Sequence, residues 1–349
     1  MKCKNLLIIT QSVDENDFIL APFLYWFKEL SKYYDNVFII CQRKGKYKLP
    51  HNIKVFSLGK EKNYSKLRRL IIFYKLIWQL HHKYDKLFVH MIPAYVLLGM
   101  PLWKLLNKKI YLWYAHGHVN SVLKMAVLLC NKVFTSTKGG CNIKFKNIEI
   151  IGQGLDTSLF KFNEKVFKKD RLNIITLGRI TKIKNIDVII DAINIINRYN
   201  INIKLTIVGG VYIEEDKTYL SYLRKKVETY NINRLVNFVG SVNHKKIPLL
   251  LKEHNLMINA CSTTSFDKVI LEAMACGVPV ITSNNSFKGI ISNNLIFKEK
   301  NVEDLAIKIK NFIEMPKNTK RNISNKLSKY VEHNHNLKKL IEVIVKSIN

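Results

Sequence analysis

Short apolar or β-branched runs alternate with longer segments of helical period along almost the whole chain. The runs at 6–10, 36–41, 54–57, 86–90, 109–114, 132–135 and 148–151 have the length and composition of buried strands. After a linker-like stretch at 160–171 a second series follows, at 173–177, 204–208, 236–238, 256–259 and 279–282. Between the strands, 22–32, 65–83, 185–198, 216–230, 269–275 and 302–313 place apolar residues at helical spacing, and 336–347 reads as a last amphipathic helix. Such alternation predicts an α/β protein with parallel sheets and helices on both faces. Two series with a break near residue 165 predict two Rossmann-like domains, 1–165 and 166–330, followed by a C-terminal helix in 331–349. The length of 349 residues, long for one core, agrees with two. In sheets of this kind ligands bind beyond the carboxyl ends of the strands, so chemistry belongs in the loops that follow them.

Composition narrows the class. Hydrophobic residues make up 48% of the chain, with 17 Phe and 16 Tyr, which describes a globular protein and not a disordered one. No apolar run reaches the ~18 residues of a membrane-spanning helix. The apolar core of the opening residues is too short for a signal peptide and reads as a first strand. Cys3, Cys41, Cys130, Cys141, Cys261 and Cys276 are scattered without a C-x-x-C pair, so neither a zinc site nor a disulfide framework is expected and a reducing cytoplasm fits.

The formal net charge is +31, and only nine of the 57 basic residues are Arg. An AT-rich genome would also favour such Lys and Asn usage, but the distribution carries information. Residues 43–146 hold 21 Lys and Arg against two carboxylates, Glu61 and Asp85, a balance of +19. A basic face attracts nucleic acid, anionic membrane or anionic substrate alike. No nucleic-acid-binding module is recognisable, so nucleic acid is not expected as a partner. Segment 64–86 sets Lys66, Arg68, Arg69, Lys75, Lys83 and Lys86 among aliphatic and aromatic residues that include Trp78. Two readings are open for it: a peripheral contact with an anionic membrane, or an ordinary amphipathic helix against the first sheet.

Four loops and one helix hold the candidate chemistry. After the strand at 173–177 comes Gly178-Arg179, then Lys182, Lys184 and Asn185, two useful cations beside a helix start and a good setting for a diphosphate. Lys182 reads as a solvated lysine. Gly209 and Gly210 follow the next strand and permit either close backbone approach to a ligand or merely a tight turn. Gly240 and Ser241 follow the third, and in the first half His116, with His118 as its neighbour, follows the strand at 109–114. Residues 267–283 read as a helix, a stop at Gly277, a break at Pro279 and a strand. Leu271, Met274 and Ala275 fall on its core face, while Glu272 points elsewhere and is either solvated or functional. No G-x-G-x-x-G follows the first strand, which argues against a dinucleotide oxidoreductase.

The order G-R-x(4)-K from Gly178, V-G-G at Gly209-Gly210, F-x-G at Gly240 and L-E-A-M-A-C-G-V-P-V-I around Glu272 resembles glycosyltransferase family 4, retaining enzymes of the GT-B fold. Gly152, Gly154, Asp156 and Phe160 resemble that family's passage into its C-terminal domain. The resemblance implies a GT-B arrangement, two Rossmann-like domains with parallel sheets facing each other across a cleft and a C-terminal helix, 331–349, that crosses back to the N-domain. It implies transfer of a sugar from a UDP-, GDP- or ADP-sugar to a glycan or lipid-linked acceptor in cell-surface polysaccharide or glycolipid synthesis, with no metal and no cofactor. Arg179 and Lys184 match the cations that hold and stabilise the leaving diphosphate. Glu272 matches the carboxylate that accepts hydrogen bonds from the ribose, and His116 the histidine near the transferred sugar. Thr264, Asp267, Lys268 and Val269 fall in the loop beside that sugar and the helix start after it, Gly240 and Ser241 near the base, and Asp17 among acceptor contacts. The expected location is cytoplasmic, either free or peripheral on the inner membrane face.

The chain also departs from the family pattern. Thr264 stands eight residues before Glu272, where the family carries its first glutamate. Asp267 either substitutes for it or caps the following helix. Asn185 replaces a glycine, and the loop 11–17 lacks a glycine pair. A GT-B epimerase or hydrolase, or an inactive nucleotide-sugar-binding homologue, is the alternative reading.

Overall fold

Leu6, Leu7, Ile8 and Ile9 are fully buried, Leu6 and Ile8 toward one apolar layer and Leu7 and Ile9 toward another. That alternation is what a strand needs when helices cover both faces of its sheet. The computed structural model describes residues 3–17, 20–165, 167, 171–199, 201–261, 263 and 265–349. Two units divide the chain, Met1–Asp156 with His335–Asn349, and Thr157–Asn334. Their borders fall at 156/157 and 334/335, against the 165/166 and 330/331 read from the sequence.

The first unit runs β1 (Cys3–Val13), α1 (Phe23–Leu30), β2 (Tyr34–Lys44), β3 (Ile53–Ser57), α2 (Lys66–Leu80), β4 (Lys86–His90), α3 (Pro93–Leu105), β5 (Lys109–Trp113), α4 (Ser121–Leu129), β6 (Lys132–Thr135) and β7 (Ile148–Ile150). Its seven parallel strands lie in the order β3-β2-β1-β4-β5-β6-β7. Phe73, Ile77, Trp103 and Leu123, from α2, α3 and α4, pack on one face. Trp26 and Phe27 of α1 pack on the other, together with Leu340, Ile341 and Ile344.

The second unit runs β8 (Leu172–Leu177), α5 (Ile186–Asn197), β9 (Ile203–Val208), α6 (Glu214–Thr229), β10 (Val236–Gly240), α7 (Ile247–Glu253), β11 (Leu256–Asn259), α8 (Lys268–Ala275), β12 (Val280–Thr282), α9 (Val302–Glu314) and α10 (Lys317–Asn334). Its five parallel strands lie in the order β10-β9-β8-β11-β12. Successive strands step outward from β8 to β10, and the chain then returns to the other side of β8 with β11. The boundary between β8 and β11 is therefore the topological switch point.

Every strand read from the sequence is present, and the helices at 22–32, 65–83, 185–198, 216–230, 269–275, 302–313 and 336–347 are found within three residues at each end. Four helices were not read: α3, α4, α7 and α10. Helix α3 is apolar on most sides and contains Pro101, so it has no periodic stripe. Helix α10 is long and polar, and only a few of its side chains are buried. Helix α10 ends at Asn334, and α11 (Leu337–Ile348), the helix read at 336–347, begins afresh in the first unit.

His335 lies in that break and fastens α11 to its unit. The His335 carbonyl accepts from the Leu155 N–H at 2.7 Å, and the Leu155 carbonyl accepts from the Leu337 N–H at 2.9 Å. The Gln153 N–H donates to His335 Nδ1 at 3.0 Å, and Trp26 Nε1 donates to the Gly154 carbonyl at 3.1 Å. Burial pushes the His335 imidazole down to about 4, so the ring is neutral and Nδ1 can accept. Because the folded value lies below the unfolded one, stability is full above the ordinary histidine range and is lost as pH falls toward 4. All four Trp belong to the first unit, so their fluorescence reports its unfolding. Urea melts should show a loss of about 2 kcal/mol between about pH 7 and pH 5 that His335→Gln largely removes. Identical pH profiles for the two proteins would contradict this role.

Candidate active site

The carboxyl ends of β8, β9 and β10 meet through backbone alone. The Gly178 N–H donates to the Val208 carbonyl at 3.0 Å, Ile180 N–H to the Gly210 carbonyl at 3.0 Å, and Gly209 N–H to the Gly240 carbonyl at 2.9 Å. A Cβ on Gly209 would overlap the Gly178 carbonyl, and one on Gly210 would overlap Ser241 Oγ. Gly178 has a φ of 133°, which a side chain would strain. The first physical task of these glycines is thus to bring three strand ends into contact.

The loop after β8 is tied to the end of β11 across the switch point. Lys184 Nζ lies 2.6 Å from Asp267 Oδ2, and Asn259 Nδ2 donates to the same oxygen at 3.0 Å. Burial pulls the Lys184 ammonium down, but Asp267 and Cys261 outweigh it and hold the group above the ordinary lysine value. Asn185 takes the left-handed conformation at φ 45° and donates from Nδ2 to the Ala260 carbonyl at 2.8 Å. Asparagine is the side chain that tolerates this region best, which explains how it replaces glycine here. Arg179 is exposed and lines the same small cavity as Lys184, with Thr176, Gly178, Asn259 and Ala260.

Helix α8 starts at this tie. Asp267 occupies its N-cap position but makes no side-chain cap bond, so the capping alternative is set aside: its carboxylate goes to Lys184 and Asn259. Lys268 and Val269 form the first turn, where the partial positive charge of the helix end is added to Lys184. One turn on, Glu272 is only 3% exposed, so the solvated reading is also set aside. Its Oε1 pairs with His244 Nε2 at 2.8 Å. Burial pushes the Lys268 ammonium down to about 8, opposed by the attraction of Glu272. His244 belongs to the short turn after β10, and its ring lies 5.2 Å from that of Phe160. Nothing in the sequence singled out His244; its meaning comes from a carboxylate 28 residues further on.

In the first unit, His116 is exposed in the loop after β5, and its Nδ1 accepts from the His118 N–H at 3.2 Å. The Tyr114 hydroxyl donates to the His118 carbonyl at 2.7 Å, which shapes the same loop. Asp17 follows β1, and its Oδ1 accepts from the Leu20 N–H at 2.9 Å at the approach to α1. Thr264 lies outside the described residues.

Residues 158–330 match the family model described as glycosyl transferases group 1. The chain is 28% identical over 171 residues to a 41.2 kDa protein of the cps region of Klebsiella pneumoniae, covering 48% of this chain and 43% of that one. It is 28% identical over 123 residues to alpha-monoglucosyldiacylglycerol synthase of Streptococcus pneumoniae, 35% of this chain and 26% of the other. The chain spans about half the length of the curated relatives it matches. Among solved structures, Anabaena HepE in complex with UDP superposes with a TM-score of 0.78 at 16% identity, covering 98% of this chain and 99% of that one. Sucrose-phosphate synthase from Thermosynechococcus elongatus gives a TM-score of 0.78 at 16% identity, with 99% and 98% covered. The fold is GT-B. The residues that match the group 1 model all lie in the second unit.

The buried pair invites a double-mutant cycle. His244→Ala strands a buried carboxylate and should destabilise the second unit by about 1–3 kcal/mol in urea, followed by far-UV circular dichroism. Adding Glu272→Gln should then cost less than it does in the wild type. Strictly additive losses would show that the two side chains do not interact.

Proposed function

We propose that the chain is a retaining glycosyltransferase of family 4 type, moving a sugar from a nucleoside diphosphate sugar to a glycan or lipid-linked acceptor. The observation that carries this reading is the junction at the β8/β11 switch point, where Arg179 and Lys184 line one cavity and Asp267, at the start of α8, holds Lys184. Oriented cations and a helix start in that place suit a diphosphate. That HepE was solved with UDP, and that two relatives are named mannosylfructose-phosphate synthase and alpha-monoglucosyldiacylglycerol synthase, supports a nucleotide-sugar donor.

In this reading the bond between sugar C1 and the β-phosphate oxygen breaks, and its electron pair leaves with the diphosphate. Arg179 and Lys184 stand beside the growing charge and lower the barrier without moving. The acceptor hydroxyl forms the new bond to C1 on the face that the diphosphate vacates, and its proton ends on the departing phosphate or in solvent. Glu272 offers Oε2 to the ribose hydroxyls while His244 holds Oε1. Lys184 reaches the diphosphate by sharing its three N–H donors with Asp267. Gly240 and Ser241 flank the base, and His116 and Asp17 keep their roles toward the transferred sugar and the acceptor.

Turnover with UDP-, GDP- and ADP-sugars and chromatography of the labelled products test this. Arg179→Ala should lower kcat/KM by about 2–4 kcal/mol of transition-state stabilisation, with the donor's anomeric configuration kept in the wild-type product. Near-normal turnover in that variant would defeat the assignment, and free sugar or an epimer as sole product would point to a hydrolase or epimerase instead.

A further inference from the structure

Helix α2 carries two apolar faces. The inner one packs Phe73, Ile77 and Leu80 into the first unit, with the Phe73 ring 4.9 Å from that of Tyr95 in α3. The outer one stands in solvent: Leu67 is 68% exposed, Ile71 60%, Tyr74 40% and Trp78 58%. At the 100° per residue of a helix, these four fall within a sector of about 60°, a continuous stripe along the helix. The inner face already anchors α2; in the outer stripe Tyr74 also serves the fold, its hydroxyl donating to the Leu98 carbonyl at 2.8 Å, while Leu67, Ile71 and Trp78 leave most of their surface in water. Scattered exposed apolar residues need no explanation, but contiguous ones rimmed by charge mark a contact surface.

The rim identifies the occupant. Within Lys66–Leu80 there are four cations, Lys66, Arg68, Arg69 and Lys75, and no carboxylate. Arg68 and Lys75 are seven residues apart and run along one flank of the stripe, and the Arg68 guanidinium lies 3.6 Å above the Tyr64 ring. The balance of +19 over residues 43–146 gives the same sign to a much wider area. A protein groove would explain the stripe but would leave this broad charge without a counterpart. A sheet of anionic headgroups over acyl chains matches both, with aromatic rings at the boundary and basic stems reaching the phosphates. No helix of the described residues is long and apolar enough to cross a membrane, so the contact is one that lies on the surface.

We propose that the α2 face docks on the surface of an anionic phospholipid bilayer, with Leu67, Ile71, Tyr74 and Trp78 at the headgroup boundary and Arg68 and Lys75 on lipid phosphates. This goes beyond the sugar-transfer reading and does not rest on it.

The fluorescence of the full chain provides the test, because Trp26, Trp103 and Trp113 are buried and Trp78 alone among the four is exposed. Vesicles of phosphatidylcholine mixed with phosphatidylglycerol should shift the emission to the blue and carry the chain down on sedimentation, while phosphatidylcholine alone should do neither. Added salt should reverse the binding. Arg68→Gln with Lys75→Gln should bind about 30-fold more weakly. Leu67→Ser with Ile71→Ser should not bind, with wild-type far-UV circular dichroism in both variants. Equal binding to neutral vesicles, unchanged binding by either variant, or no binding at all would overturn the proposal. Self-association that the Leu67→Ser/Ile71→Ser variant loses, without vesicle binding, would also overturn it and give the face to a second copy of the chain.

Discussion

The second unit depends on how the loop after β8 is held against the end of β11. Lys184 and Asp267 are 83 residues apart in sequence and meet at 2.6 Å, with Asn259 on the same carboxylate oxygen and Asn185 fastened to the Ala260 carbonyl. These contacts close the switch point of a parallel sheet, the one place where neighbouring loops diverge and leave room for a ligand. On the other side of β8, the glycines after β8 and β9 let the two strand ends meet, because no side chain fits between the Gly209 backbone and the Gly178 carbonyl. Geometry that would serve a diphosphate is therefore the same geometry that holds the sheet ends together.

The cation at this junction is already balanced. A lysine tied to a carboxylate is a weaker lure for an anion than a free one, yet it is fixed in position before the ligand arrives. Arg179, exposed on the same cavity edge, supplies charge that Asp267 does not neutralise directly. Glu272 follows a similar logic. A nearly buried carboxylate is costly without a partner, and His244 supplies one while leaving the second oxygen for another use.

Strand positions were legible because each is a short β-branched run between polar turns, and such runs have few alternative structures. Helix α3 was hidden by its nearly uniform apolarity and α10 by its polarity, since both lack the periodic stripe that marks a half-buried helix. At the site, Gly178, Arg179, Lys184 and Glu272 could be selected from residue type and from the strand they follow. Their partners could not. Asp267 stood at a helix start and looked equally like a cap, and only the fold sends its carboxylate to Lys184. His244 carries no local signal, because what makes it matter is a carboxylate on another element.

In the proposed function the second unit's strand ends bind a nucleoside diphosphate with Glu272 on its ribose. Calorimetric titration with UDP, GDP and ADP, followed by the 2′,3′-dideoxy form of the tightest, tests it most directly. The account predicts a loss of about 10- to 100-fold for the dideoxy form in the wild type and a much smaller loss in Glu272→Gln. Equal affinity for both forms in the wild type, or no affinity for any of the three diphosphates, would contradict it.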